Sequence, residues 1–364
     1  MAQKESATAY FNQGIAFSQQ KDWKSAETSF RRAIDLDFNS ALAYYNLGIT
    51  LNEQGKTAEA IATYQTAIRL NPNKASVYDN LQGDLHKQGR IAEVITAYQK
   101  TINLQLNDAD AYISLGFALR ERGKTAEAIT AFQKAISFNP DNAKAYRILG
   151  IALDEQGKTA EAITAFQTAI SLNSNDVEIY SILGFALYKQ GKTAEAIAVY
   201  QKAIKLNPNF DQAYYNLGNA LDESKIAEAI AAYQKAIKLN PNNADAYYNL
   251  GIALDEQGKV AEAIAAYQRA IRLNPNDATV YYILGNALSK QGKTAEAIVA
   301  YQKVIKLNPN DATAYYNLGN ALDQQDNREA AIAAYQKARD LYRSQGRDQK
   351  VKETSHLLQK LRRH

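Results

Sequence analysis

The residue types able to do chemistry are few and poorly placed for it. Three histidines, His86, His356 and His364, stand far apart, the last two in the terminal segment. There is no cysteine, so neither thiolate chemistry nor a disulfide is available. The patterns HExxH, CxxC and GxSxG, which place a metal-bound water or an activated nucleophile, do not occur. Gly-Lys-Thr recurs at Gly55-Lys56-Thr57, Gly157-Lys158-Thr159 and Gly191-Lys192-Thr193 and superficially matches the end of a phosphate-binding loop. The earlier glycine and preceding strand of such a loop are lacking, and the triplet reads as an inter-helix turn. These residues imply no enzyme, no cofactor and no metal. What remains is binding chemistry: amides, aromatic rings and charges at regular spacing.

That spacing identifies the element that carries them. In residues 244–277, Tyr247, Leu250, Gly251 and Leu254 fall at i, i+3, i+4 and i+7, one stripe of a helix. Gly258 interrupts the pattern where a helix C-terminus needs left-handed backbone. Ile264, Tyr267 and Ile271, with Ala263 and Ala270 beside them, form a second stripe. Asn274-Pro275-Asn276 then ends the unit. Two apolar stripes cannot both be covered within one helix pair, so each 34-residue unit needs a neighbour. Ten units start at Ala7, Ala41, Ala75, Ala109, Ala143, Val177, Asp211, Ala244, Ala278 and Ala312. Tyrosine holds position four of each, and all six prolines end a unit.

Length and composition agree with an array. The 364 residues show no shift in composition that would mark a domain boundary. Net charge is +4, from 42 basic and 38 acidic residues, so the total carries no preference for nucleic acid or a membrane surface. No apolar run approaches the roughly 20 residues of a membrane span, and the N-terminus lacks a signal-peptide core. The absence of cysteine fits a reducing compartment, so a cytoplasmic location is expected; a leader removed ahead of this numbering is left open.

Tyr44, Leu47, Gly48, Leu51, Ala60, Tyr64 and Pro72 in the second unit resemble the tetratricopeptide repeat pattern, and the resemblance covers about residues 7–345. The glutamine-rich consensus resembles cyanobacterial arrays. The resemblance implies an all-α, right-handed superhelical solenoid whose first helices line a concave side, with residues 346–364 as a C-terminal capping helix. Four departures stand out. The first unit has Gln13 and Glu27 at positions that are apolar elsewhere, as for an end repeat with one wet face, where Trp23 would pack. The third displaces its glycine to Gly83, after Gln82, and has Val94 and Thr101 for alanines. The seventh is one residue short and lacks a turn glycine around Asp222, Glu223 and Ser224. In the tenth, Asp326-Asn327 replaces the turn glycine.

On the first helices, positions 2, 5, 9 and 12 share a face, flanked by 6 and 13, and the family places its ligand groove there. Position six holds Asn12, Asn46, Asn80, Asn216, Asn249 and Asn317, which is similar to the asparagine ladder of O-linked N-acetylglucosamine transferases. An amide donates and accepts at once, which suits a peptide backbone; equally, these amides could bond neighbouring helices or water. Tyr215, Tyr248, Tyr282 and Tyr316 occupy position five of the last four units. In the fourth to sixth units the face becomes apolar, with Ile113, Phe117, Ile148, Ile151, Ile182, Phe185 and Tyr188. Asp154, Asp222, Asp255 and Asp323, with Glu155, Glu223 and Glu256, add an acidic edge. No transferase domain follows, and no unit has the position-five lysine of the clamp that holds acidic chaperone C-termini.

The expected function is a non-catalytic scaffold that binds a protein or peptide segment, its apolar floor also open to self-association. The alternative is an anion-binding module for RNA or acidic lipid. It would use Lys202, Lys205, Lys235, Lys238, Arg269, Arg272, Lys303 and Lys306 on the convex side, although no nucleic acid is expected from the total charge.

Overall fold

The computed structural model describes residues 2–104, 108–221 and 225–363; Asp222, Glu223, Ser224 and His364 lie outside the described residues. Among the described residues there are 21 α-helices and no strand. The first helices of the repeats are α1 (Ala2–Gln19), α3 (Ala41–Glu53), α5 (Ala75–Lys87), α7 (Ala109–Glu121), α9 (Ala143–Glu155), α11 (Val177–Lys189), α13 (Asp211–Ala220), α15 (Ala244–Glu256), α17 (Ala278–Lys290) and α19 (Ala312–Gln324). The second helices are α2 (Trp23–Leu36), α4 (Thr57–Leu70), α6 (Ile91–Leu104), α8 (Thr125–Phe138), α10 (Thr159–Leu172), α12 (Thr193–Leu206), α14 (Ile226–Leu239), α16 (Val260–Leu273), α18 (Thr294–Leu307) and α20 (Arg328–Ser344). α21 (Asp348–Arg363) follows them.

The local reasons for these boundaries repeat. Ser40, Asp108, Asn142, Asn243, Asp277 and Asp311 precede first helices, and their side chains accept from first-turn amides. Gly258, at φ +81°, takes the left-handed turn between α15 and α16. Asp326 takes the same turn in the tenth repeat at φ +58°, and Lys21 in the first at φ +59°.

The chain divides into two compact bodies, Met1–Ile179 and Tyr180–His364, so the boundary falls inside α11. Phe30, Leu47, Leu51, Tyr64 and Leu85 lie in the core of the first. Tyr233, Leu250, Tyr267, Leu284, Tyr301 and Tyr335 lie in that of the second, joined by Leu358 of α21. Val351 and Leu361 are half-buried, and the Arg328 guanidinium donates to the Leu361 carbonyl, which fixes α21 against the tenth repeat. In both bodies a first-helix glycine lies under a second-helix ring. A Cβ added at Gly150 would stand 2.5 Å from Phe166, and one at Gly251 would stand 2.4 Å from Tyr267. Helices this close leave room for nothing larger.

Two expectations need correction. Glu27 does not face water as an end-repeat residue. Only 14% of its side chain is exposed, and it accepts from Lys56 (2.8 Å) and Gln54 (3.0 Å) of the second repeat and from Arg31 (2.9 Å) of its own. Those donors outweigh desolvation and hold its carboxyl at about 2. Trp23 is half-buried, and its carbonyl accepts from Gln54, so it too lies at the seam between repeats. In the third repeat the displaced Gly83 has open space around it. Gln82 is buried in the glycine's usual place, donating to Thr101 at 2.9 Å.

Candidate binding site

The amides at position six lie at the seams between consecutive first helices. Asn80 donates to the Tyr45 hydroxyl at 3.0 Å and Asn216 to the Ser181 hydroxyl at 3.0 Å, each reaching back one repeat. Asn249 donates to Asn219 (2.9 Å) and Tyr215 (3.4 Å); Asn317 donates to Asn286 (3.2 Å) and Tyr282 (3.3 Å). Asn46 turns back to the Leu42 carbonyl of its own helix, and Asn12 is exposed. Much of the ladder therefore joins repeats, and only part of each amide is left for a ligand.

Position nine completes a motif that sequence reasoning missed. The hydroxyls of Tyr233, Tyr301 and Tyr335 donate to Asn219 (2.8 Å), Asn286 (2.9 Å) and Asn320 (2.7 Å). Twice this builds a trio: a second-helix tyrosine and the next repeat's asparagine both donate to one carbonyl oxygen. The signal was present, because every asparagine at position nine pairs with a tyrosine, never a phenylalanine, on the second helix of its repeat. Burial pushes the Tyr301 hydroxyl up to about 12, so it is a donor at any ordinary pH. Tyr215, Tyr248, Tyr282 and Tyr316 are half-buried and lean on Tyr233, Tyr267, Tyr301 and Tyr335 with ring centroids 6.2, 6.4, 6.4 and 5.9 Å apart.

The apolar floor is smaller than its sequence suggests. Ile113 and Ile148 are buried, and Ile151 and Ile182 are half-buried. Ile148 stands at position six, the place from which asparagine donates across a seam in other repeats. The exposed apolar side chains are Phe117 (41%) in the first body, and Phe185 (50%) and Tyr188 (41%) in the second. Phe117 sets its edge against Phe132 at 5.7 Å.

The acidic edge is partly neutralised. Glu155 is paired with Arg120 (2.7 Å) and Asp255 with Lys290 (2.7 Å), while Asp154 accepts from Thr159 (2.9 Å). Glu256 and Asp323 have no ion pair among the described residues. On the second helices, Lys235, Arg269 and Lys303 each sit 5.8 Å from the ring centre of Tyr214, Tyr247 and Tyr281. Part of the basic stripe thus covers tyrosines. Among the described residues no group of three His, Cys, Asp or Glu side chains could hold a metal, and no helix is long and apolar enough to cross a membrane.

A cavity of about 870 Å³ opens on this face of the second body, lined by Tyr188, Asn219, Tyr233, Asn249, Ile252 and Glu256 among others. A second, of about 580 Å³, is lined by Asn286, Lys290, Tyr301, Asn317, Asn320 and Asp323 among others.

The family model for the C-terminal domain of cilia and flagella-associated protein 70, a repeat array, matches residues 155–354. Three tetratricopeptide repeat models match residues 118–157, 41–74 and 7–40. The chain belongs to the tetratricopeptide repeat family. Its similar solved structures are largely bacterial tetratricopeptide proteins. YrrB, described as a TPR protein with an unusual peptide-binding site, is 31% identical over 49% of this chain and 92% of its own, with a TM-score of 0.46. MamA from Desulfovibrio magneticus RS-1 is 28% identical over 46% of this chain and 96% of its own, with a TM-score of 0.44. The C-terminal part of a tetratricopeptide protein from Cytophaga hutchinsonii is 20% identical over 65% of this chain and 98% of its own; its TM-score of 0.55 speaks for the fold alone. No curated protein sequence matches the chain. A tetratricopeptide array of this kind is a non-catalytic interaction scaffold, whose family binds proteins or peptides on the concave, first-helix side.

Proposed function

We propose that this array holds one extended or helical protein segment on the face of its first helices, with exposed aromatics as anchors and the amide–tyrosine seams as polar contacts. The observation that carries this is the exposure of Phe185 (50%) and Tyr188 (41%) on one first helix of the second body. Solvated aromatic side chains at regular helical positions are the type that dominate binding energy when covered. The glutamine-rich consensus adds a cyanobacterial source to the same proposal, and the lack of cysteine a cytoplasmic one.

The test is to select peptides from a displayed random library on the full chain and measure them by calorimetry. Phe185→Ala and Tyr188→Ala, singly and together, should weaken the selected peptides, the pair by about 2–4 kcal/mol, with helicity unchanged. Full affinity in the double variant places the site elsewhere. Dimers that dissociate in the same variant, seen by light scattering, would instead identify this face as a self-association surface.

A further inference from the structure

We propose that α18, the second helix of the ninth repeat, pairs antiparallel with α18 of a second copy of this chain. The surface concerned belongs to the second helices, so it goes beyond the scaffold reading and does not depend on it. Its centre is Val299. Two positions before the second-helix ring, the other nine repeats carry alanine or threonine, as at Thr28, Ala62, Ala265 and Ala333. Only the ninth carries a larger apolar side chain there, and Val299 is 65% exposed. Beside it opens a cavity of about 600 Å³, walled by Gln268 of α16, Tyr281 and Leu284 of α17, and Val299 itself, among others.

The charges around this groove select its occupant. Glu296 lines it, is exposed, and has no ion pair among the described residues. Lys303 lines it too and meets only the Tyr281 ring, at 5.8 Å; Lys306 beyond it is exposed. Glu296 and Lys303 are seven residues apart, so they lie on one stripe of α18 with Val299 between them. An antiparallel helix laid in the groove must therefore bring a cation to Glu296, an apolar group to Val299 and a carboxylate to Lys303. α18 of a second copy, turned about a two-fold axis, brings all three. Glu296 of each copy then meets the Lys303–Lys306 end of the other, with the two valines close to the axis. Each α18 fills the groove between α16 and α18 of the other copy, as ridges fill grooves in helix packing. Such a contact is self-complementary and closes as a dimer.

Neighbouring helices supply the contrast. α16 repeats the charges as Glu262 and Arg269, and α14 as Glu228 and Lys235, but the residues between them are Ala265 and Ala231. Exposed ion pairs alone contribute little, so the valine sets the pairing at α18. One helix pair makes a small interface, and the dimer is accordingly weak and concentration-dependent.

The experiment is sedimentation velocity of the full chain at low salt, from about 10 to 500 µM, the range in which a weak contact forms. The parent should pass from monomer to dimer across this range, and Val299→Ala should lower the association constant at least tenfold. Glu296→Lys alone and Lys303→Glu alone should each stay monomeric, because each sets like charges opposite one another at both ends of the contact. Mixed in equal amounts, these two variants should dimerise with one another. A chain carrying both changes should again dimerise with itself. Both side chains lie on the helix surface, so the variants are expected to fold, which circular dichroism checks. A parent that is monomeric throughout, a dimer that survives Val299→Ala or either charge reversal, or a mixture as monomeric as its components overturns the proposal. So does a dimer that dissociates on Phe185→Ala with Tyr188→Ala but not on Val299→Ala, since it would belong to the first-helix face. None of these outcomes decides the scaffold reading, whose test is peptide affinity.

Discussion

In the ninth repeat Gly285 lies beneath the Tyr301 ring, and an added Cβ would stand 2.6 Å from it. Two residues on, Ala287 is buried, and the Tyr301 hydroxyl donates to Asn286. In the third repeat the equivalent places carry Gln82, Asp84 and, on the second helix, Tyr98. Gln82 is buried and bonded to Thr101, Asp84 is 1% exposed, and Tyr98 is only half-buried. Asp84 binds Lys87 at 3.1 Å through one oxygen, while its Oδ2 is buried without a hydrogen-bond partner. The same helix pair can thus be held by a ring over a glycine or by a buried polar network. In the ninth repeat the ring over the glycine keeps its hydroxyl hydrogen-bonded, whereas the third repeat leaves a carboxylate oxygen of Asp84 buried without a partner.

The largest effect should come from moving the third repeat's acid into the ninth. Ala287→Asp places a carboxylate in an apolar core where Lys290, three residues on as Lys87 is from Asp84, is already held by Asp255 at 2.7 Å, and a buried charge without a partner of its own costs about 3–5 kcal/mol. Asp84→Ala runs the other way. It removes an orphan oxygen while Lys87, 59% exposed, returns to water, so stability should hold or rise by about 1 kcal/mol. Urea denaturation followed by circular dichroism reads both. A loss on Asp84→Ala comparable to that of Ala287→Asp would mean that the third repeat's network is a net stabiliser.

A smaller effect, with a change of sign, separates two glycines. Gly285→Ala must push the Tyr301 ring aside, and overpacking of this kind costs about 1–3 kcal/mol. Gly83→Ala meets nothing within 4 Å and lies in a helix, where alanine is favoured over glycine by about 0.5–1 kcal/mol. Thermal melts of the two variants should therefore move in opposite directions. Two shifts of the same sign would show that the glycines are not distinguished by the ring above them.

These contrasts also show how far a sequence can be read. Helices, turns and repeat starts were legible because 3.6-residue periodicity, turn glycines and terminal prolines are local signals, as at Gly251, Gly258 and Pro275. The irregularity of the third repeat was legible too, since Gln82 breaks a pattern set by its neighbours. What lies across a seam was not. Glu27 looked like a solvated end residue because its partners, Lys56 and Gln54, are on the next repeat. Ile113 and Ile148 share a stripe with Phe117, but periodicity gives a face and not the distance to the adjacent helix. The division within α11 has no counterpart in composition.

The smallest expected effect tests whether the ninth repeat's tyrosine contributes by its hydroxyl or only by its ring. Tyr301→Phe keeps the ring over Gly285 and removes one donor from Asn286, whose carbonyl then keeps only Asn317 at 3.2 Å. The phenolic oxygen is nearly sealed from water, so its hydrogen bond is worth about 1 kcal/mol. The matching change in the third repeat, Tyr98→Phe, removes a hydroxyl that makes no hydrogen bond among the described residues and should leave stability within about 0.5 kcal/mol of the parent. The consequence extends past stability, because Asn286 and Asn317 sit at one seam. Losing the tyrosine's donation should free the Asn286 side chain, and its amide resonances should broaden or move while those of Asn219 stay fixed. Equal losses from Tyr301→Phe and Tyr98→Phe would mean that the trio is incidental and that the ring alone holds the repeat.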